Sequence, residues 1–230
     1  MTKNITKWVI NRFIQLIKVL ILVIGMYTMA ESHQNFGTDR PATPPPGEFE
    51  KNRVDIWKLD KAHSSIVFSI EYMKSHKIWG RFDDFTTTLI VSAHNKQNEF
   101  NDGSVILSIN GNSINTQNND RDKHLQSRDF LSTDIHPNIN FDGTLHQTKK
   151  ENVYDLNGLF YMNGVERKIK LKAIHTQTIT NINGQIICMF QIKGKINRKH
   201  HNMIWNKILD NGGLLIGDFV NFEANIQLTR

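Results

Sequence analysis

LNGLFYM, residues 156–162, decides the fold. Leu156, Gly158, Phe160 and Met162 fall on one phase of a two-residue period, while Asn157, Leu159 and Tyr161, with Asp155 ahead of them, fall on the other. Successive side chains of an extended chain point to opposite sides, so this spacing marks a strand with one apolar face. The pattern recurs along the chain. Ile66, Phe68, Ile70 and Tyr72 show it, as do Val105, Leu107, Ile109 and Gly111, and Ile139, Phe141, Gly143 and Leu145. Ile169, Leu171 and Ala173 follow, then Cys188, Phe190, Ile192, Gly194 and Ile196, and finally Phe222, Ala224, Ile226 and Leu228. With Ile78 to Val91, these make about eight strands parted by turns rich in Asn, Gly and Asp.

Long amphipathic strands in this number form a sandwich or close into a barrel, which leaves no open edge. An outer-membrane barrel would show the same alternation with its faces reversed. The lysines exclude it: Lys168, Lys170 and Lys172 line the polar face of one strand, and Lys193 and Lys195 that of another. The interior of a barrel of about eight strands is too narrow for rows of lysines, so they face water and the apolar phase faces inward.

The N-terminus reads differently. Lys3, Lys7, Arg12 and Lys18 precede the apolar run Val19 to Ala30, which ends Thr28-Met29-Ala30 before a polar stretch. Residues 1–30 therefore resemble a secretory signal peptide; an uncleaved anchor, extended backwards through Trp8 and Phe13, is the alternative. Arg12 and Lys18 would interrupt that longer helix at a cost of about 2.5–3.5 kcal/mol each near a bilayer centre. Either way the remainder is expected to be exported, to the periplasm or beyond the cell, with membrane attachment as the lesser alternative. Residues 31–53 include PATPPPG and form a linker, leaving 54–230 as the domain. The net charge of +6 owes four basic and no acidic residues to the leader, and the remaining 24 basic against 22 acidic residues form no basic stripe of the kind nucleic acid requires. Cys188 lies on an apolar phase and reads as a small buried hydrophobe.

One segment breaks the period. In NNDRDKHLQSRDFLS, residues 118–132, Asn119 can cap a helix, Asp120 and Asp122 suit its first turn, and Arg128 suits its end. A short helix near residues 119–128 is expected to lie across a barrel end, held by Leu125 and Phe130. Arg121, Asp122, His124 and Arg128 are read as a structural cluster there. The histidines show no metal-ligand spacing; His200 and His201, adjacent on an expected strand, would face opposite sides.

The run SINTQNNDRDKHLQSRDFLSTDIHPNINF, residues 113–141, resembles the hallmark of the YceI-like family. WKLDKAHSSIVFSI from Trp57, Gly80-Arg81-Phe82, NGVERKIKL from Asn163, Ile196-Asn197-Arg198 and WNKILDNGGLLIGDFVNFEANIQL from Trp205 match further blocks in order. Two stretches depart from the family pattern: Tyr72 stands where the family often has histidine, and Lys199 to Asn202 replace an acid-aromatic-glycine sequence. The resemblance implies an all-β, lipocalin-like antiparallel barrel that holds an isoprenoid chain, a polyprenyl lipid or a quinone-like ligand, in an elongated apolar cavity. No other cofactor, no metal and no nucleic-acid partner is expected, with membrane contact only through the leader or during ligand exchange, and a homodimer as an allowed assembly. Combined with the alternation, it assigns the cavity wall to Phe68, Ile70, Tyr72, Phe82, Leu107, Ile109, Phe130, Phe141, Phe160, Met162, Phe190 and Ile192. The cluster Arg121, Asp122, His124 and Arg128 would then support the barrel end or meet a head group. Two alternatives stand beside this binding protein: an enzyme acting on an isoprenoid-linked substrate through Arg121, Asp122 and His124, and an interaction module with a filled core. The familiar hydrolase and zinc-protease motifs do not occur in the sequence, which favours binding.

Overall fold

The alternating segments do form strands, and their apolar phase builds one barrel. A computed structural model describes residues 53–93, 99–210 and 212–230; the expected leader, and the linker up to residue 52, lie outside the described residues. In chain order the elements are β1 (Val54–Leu59), β2 (Ser65–Tyr72), β3 (His76–Phe82), β4 (Phe85–Ser92), β5 (Ser104–Asn110), β6 (Ile114–Asn115), α1 (Asn119–Gln126), β7 (Asn138–Gln147), β8 (Val153–Met162), β9 (Val165–Thr180), β10 (Ile186–Asn197) and β11 (Ile216–Thr229).

All pairings are antiparallel, and the long β11 closes the sheet by meeting β10 on one side and β2, then β1, on the other. The result is a closed barrel of eight staves. Three staves are bent in the middle, which is why the ladder contains more strand segments than the period suggested. A 3-10 turn at Lys61–His63 separates β1 from β2, with Asp60 accepting a hydrogen bond from the Ala62 amide. A similar turn at Gly111–Ser113 separates β5 from β6, where Asn110 accepts from the Asn112 amide. Asp83 and Asp84 make the third bend between β3 and β4, and their amides donate to Ser113, so two bends brace each other.

The lower end of the barrel is packed solid. Phe100, in the loop between β4 and β5, turns inward and meets Trp57, Tyr154, His175 and Phe190 at ring distances of 4.9–6.3 Å. Cys188 is fully buried beside this plug, and burial pushes its thiol far up, as befits an inert hydrophobe. Arg230 stacks over Trp57 from outside at 4.7 Å and pairs with Asp55, sealing the end where β1 and β11 meet. The lysines at 168, 170 and 172 are exposed.

The helix α1 is shorter than expected. Its N-cap is Asn118, whose side chain accepts from the Arg121 amide at 2.9 Å, rather than Asn119, and it ends at Gln126. Arg128 therefore lies beyond the helix, exposed and paired with Asp134 at 3.1 Å, and is no part of the cluster with Arg121 and His124. The strand expected to contain His200 and His201 ends at Asn197; both histidines sit in a 3-10 turn, Arg198–His201, which buries His201 and leaves His200 in solvent.

Candidate functional site: the barrel cavity

Above the aromatic plug the barrel is hollow. The space amounts to about 590 Å³, a normal size for a small-molecule site. What keeps it open is a set of inward glycines opposite phenylalanines. Gly80 is registered with Phe68, and Gly194 with Phe222. A Cβ at either glycine would overlap the ring of its partner, so each ring lies flat along the wall instead of projecting into the lumen. Gly143 and Gly158 are registered with each other, and a Cβ at Gly143 would stand 2.5 Å from Phe141 Cζ. Large aromatic surface is thus spread on the wall without filling the space, an arrangement also seen as aromatic cover for sheet glycines.

Of the residues assigned to the wall from sequence, Phe68, Ile70, Tyr72, Phe82, Leu107, Ile109, Phe130, Phe141, Phe160, Met162 and Ile192 line this space. Phe190 does not. It faces inward on β10 as its phase requires, but a β-bulge between Met189 and Phe190 and the intruding Phe100 place it in the plug beneath. The strand β8 shows the two phases directly: Phe160 and Met162 are buried, whereas Leu159 is 39% exposed. Tyr161 also faces outward, where its hydroxyl meets His136 Nδ1 at 2.9 Å.

The upper end is roofed by α1 and by residues 203–210 and 212–215. His124, Phe130 and Trp205 stack on one another there at 4.9–5.4 Å. Met203, Trp205 and Leu215 complete the wall, and none of them was legible as such, because their segment is Asn- and Gly-rich and follows no period. Asn206 holds that segment in place by acting as a side-chain strand partner, donating to the Ile216 carbonyl and accepting from its amide.

Polar groups at the roof are already engaged. Arg121 donates from Nε to Thr116 Oγ1 and from a terminal nitrogen to the Thr116 carbonyl, both at 2.7 Å. Asp122 accepts from the Thr116 amide and hydroxyl at 2.9 and 2.6 Å. Arg121 and Asp122 therefore meet through Thr116, not as a direct pair. His124 Nε2 meets Asp129 at 2.9 Å. Arg198, wholly buried at the wall, donates to the carbonyls of Gly217, Met203 and Trp205 and stands 3.8 Å from Asp218. Burial holds its guanidinium below the ordinary value. These contacts anchor the roof, and they present no nucleophile with an adjacent base.

The family model for the YceI-like domain matches residues 57–228. The chain belongs to the YceI-like family. A relative, the UPF0312 protein SA2479 of Staphylococcus aureus strain N315, is 31% identical over 171 residues, which are 74% of this chain and 95% of the relative. Among solved structures, the YceI protein of Campylobacter jejuni is 23% identical with a TM-score of 0.58, covering 75% of this chain and 96% of that one. BcnA of Burkholderia cenocepacia is 15% identical with a TM-score of 0.61, covering 74% and 98%. A domain from Saccharophagus degradans, described as polyisoprenoid-binding and implicated in plant cell wall breakdown, is 15% identical with a TM-score of 0.54, covering 75% and 97%. At these identities the solved structures establish the shared fold.

Proposed function

We propose that this YceI-like protein is an exported, non-catalytic carrier that holds an isoprenoid chain in the barrel cavity. The observation that carries the reading is the shape of the interior: a lumen of about 590 Å³ kept open by rings laid on glycines and walled almost wholly by aliphatic and aromatic side chains. A branched hydrocarbon entering such a space gains roughly 25 cal/mol for each Å² of apolar surface removed from water. A filled-core interaction module would have no need of glycines opposite phenylalanines. The polyisoprenoid-binding description of the Saccharophagus degradans domain, which shares the fold, supports the same ligand class. Arg121, Asp122 and His124 are engaged with Thr116 and Asp129, which favours holding over turnover. Export rests on the leader, whose removal would leave a mature chain beginning near Glu31.

Trp205 at the roof supplies a reporter. Titration with farnesol or a longer prenol is expected to change its fluorescence saturably in the wild type and not in Trp205→Phe. Mass spectrometry of lipid co-purifying from the native host should find a prenyl chain. Recovery of protein that is empty, and that ignores every prenol offered, would end the reading. N-terminal sequencing of the exported form tests the leader separately, since Met1 retained on membrane-bound protein would identify an anchor.

A further inference from the structure

The roof segment is two-faced. Met203, Trp205 and Leu215 line the lumen, while Ile204 and Ile208 are each 73% exposed and Leu214 is exposed as well. Ile208 and Leu214 are bridged to each other across a short hairpin. The turn between β2 and β3 lies against that hairpin: the Met73 amide donates to the Leu215 carbonyl at 2.8 Å, and Met73, Lys74, Leu209 and Leu214 border one shallow depression. Met73 is exposed, and so is Phe219 on the neighbouring β11. Trp79, 61% exposed, lies three residues into β3, about 10 Å from the turn at about 3.4 Å per residue. Single apolar residues scattered over a surface are ordinary, but adjoining ones at one end of a barrel form a patch that calls for a partner.

The patch is bordered by cations. Lys74 follows Met73 and Lys207 precedes Ile208; both are exposed, and among the described residues no ion pair engages either. Asp210 is the one acid in residues 73–76 and 204–215. Lys77 stands over the Trp79 ring at 6.0 Å and Lys195 over the Phe219 ring at 4.2 Å. Lysines on the strands are matched instead, Lys170 and Lys172 by Asp155 and Lys193 by Glu223.

We infer that this rim of the barrel docks on an anionic lipid surface. Met73, Ile204, Ile208 and Leu214 enter the acyl boundary, Lys74 and Lys207 meet lipid phosphates, and Trp79 lies at the level of the head groups. Interfacial segments bury their apolar groups roughly 5–10 Å deep, which agrees with the setback of Trp79, and tryptophan favours the head-group layer. The interleaved lysines argue for a bilayer over a protein, since protein interfaces are depleted of lysine whereas anionic lipid attracts it. Docked in this way, the segment that closes the lumen lies against the membrane. The inference does not depend on what the lumen holds.

Because Cys188 is buried and inert, a cysteine placed at the surface can be labelled alone. An environment-sensitive dye is placed on the full chain at Ser75→Cys, in the β2–β3 turn, or at Asn183→Cys, in the exposed β9–β10 turn at the opposite end. Vesicles of phosphatidylcholine alone, and of phosphatidylcholine mixed with phosphatidylglycerol, are the probes. The Ser75 dye is expected to report transfer to an apolar environment on the mixed vesicles, and the Asn183 dye to stay unchanged. Affinity for the mixed vesicles should exceed that for phosphatidylcholine by about tenfold or more, since one lysine near an anionic surface is worth roughly fivefold, and added salt should shrink the difference. Lys74→Ser/Lys207→Ser should remove most of that preference. Ile204→Ser/Ile208→Ser should weaken binding to both vesicles by about tenfold or more. All four side chains are exposed, and melting is checked in parallel. Vesicle binding in which both dyes respond alike, or in which the double variants match the wild type, would assign the contact to the leader and overturn the inference. A silent Ser75 dye on both vesicles overturns it too, and self-association lost in Ile204→Ser/Ile208→Ser would then assign the patch to a second copy of the chain.

Discussion

A methyl group added at Gly194 would collide with the Phe222 ring edge and with Leu171, whereas one added at Gly158 would meet the Asp142 carbonyl and the Gly143 backbone. A ring edge can swing and a backbone cannot. In Gly194→Ala the Phe222 ring is therefore expected to leave the wall and enter the lumen. Stability should fall modestly, within the roughly 1–3 kcal/mol of ordinary overpacking, while prenol affinity falls sharply. Gly158→Ala should instead lose stability first, because two paired strands must separate. Urea denaturation alongside prenol titration distinguishes the two, and a Gly194→Ala protein that binds normally would show that the flat ring does not keep the cavity open. The same strand offers an inside-outside pair. Phe160→Lys places a charge in the apolar wall and is expected to abolish binding or folding, while Leu159→Lys, on the solvent phase, should leave both nearly intact. Damage in the reverse order would contradict the assignment of the β8 faces to the cavity and the solvent.

At the scale of elements, the strands that were legible are those that carry three to five apolar-phase residues in succession, as Leu156 to Met162 does. Features without repetition were not. Asn118 and Asn119 are chemically equivalent caps, and only the left-handed backbone at Gln117 and the bond to the Arg121 amide select the first. Phe190 carried the right phase, yet its depth along the barrel depended on Phe100, a lone apolar residue in a polar loop with no pattern to declare its direction. The lysine rows of β9 and β10 could be read, but not the end of pairing between the two strands at Lys172 and Lys193. Thr116 was missed altogether, since nothing in sequence marks a threonine as the link between Arg121 and Asp122. It is buried, and its amide, hydroxyl and carbonyl all bond to those two side chains. Thr116→Val keeps the shape and removes the hydroxyl, leaving Arg121 Nε without that acceptor, so a loss of about 1–3 kcal/mol in urea denaturation is expected. Asn118→Ala should cost about 1 kcal/mol through the cap alone. If Thr116→Val proves neutral while Asn118→Ala does not, α1 is held by its cap and the relay is incidental.

For the whole molecule, two histidines set the acid limit. His175 is packed between Phe100 and Phe190 in the plug, and His201 lies edge-on to Phe160 below the roof, so the two brace opposite ends of the barrel. Burial lowers both imidazoles below the ordinary value of about 6.5. The sign of the effect follows. In the unfolded chain each takes up its proton near the ordinary value, while the folded protein takes it up only at lower pH, so between those limits the unfolded state binds more protons. The stability they allow is fully present above about pH 6.5 and is lost as pH falls through the folded values. The carboxylates whose values are lowered by neighbours, Asp60 beside His63, Asp83 beside Arg81, Asp84 beside Lys61 and Asp155 beside Lys172, act in a separate window, since their contribution fades only below about pH 4. Urea midpoints measured from about pH 7.5 down to about pH 5 should therefore begin to decline near pH 6.5 in the wild type. His175→Phe combined with His201→Leu should flatten that decline even if the variant is less stable throughout, because the slope reports protons and not packing. A double variant with the wild-type slope would place the acid sensitivity elsewhere in the barrel.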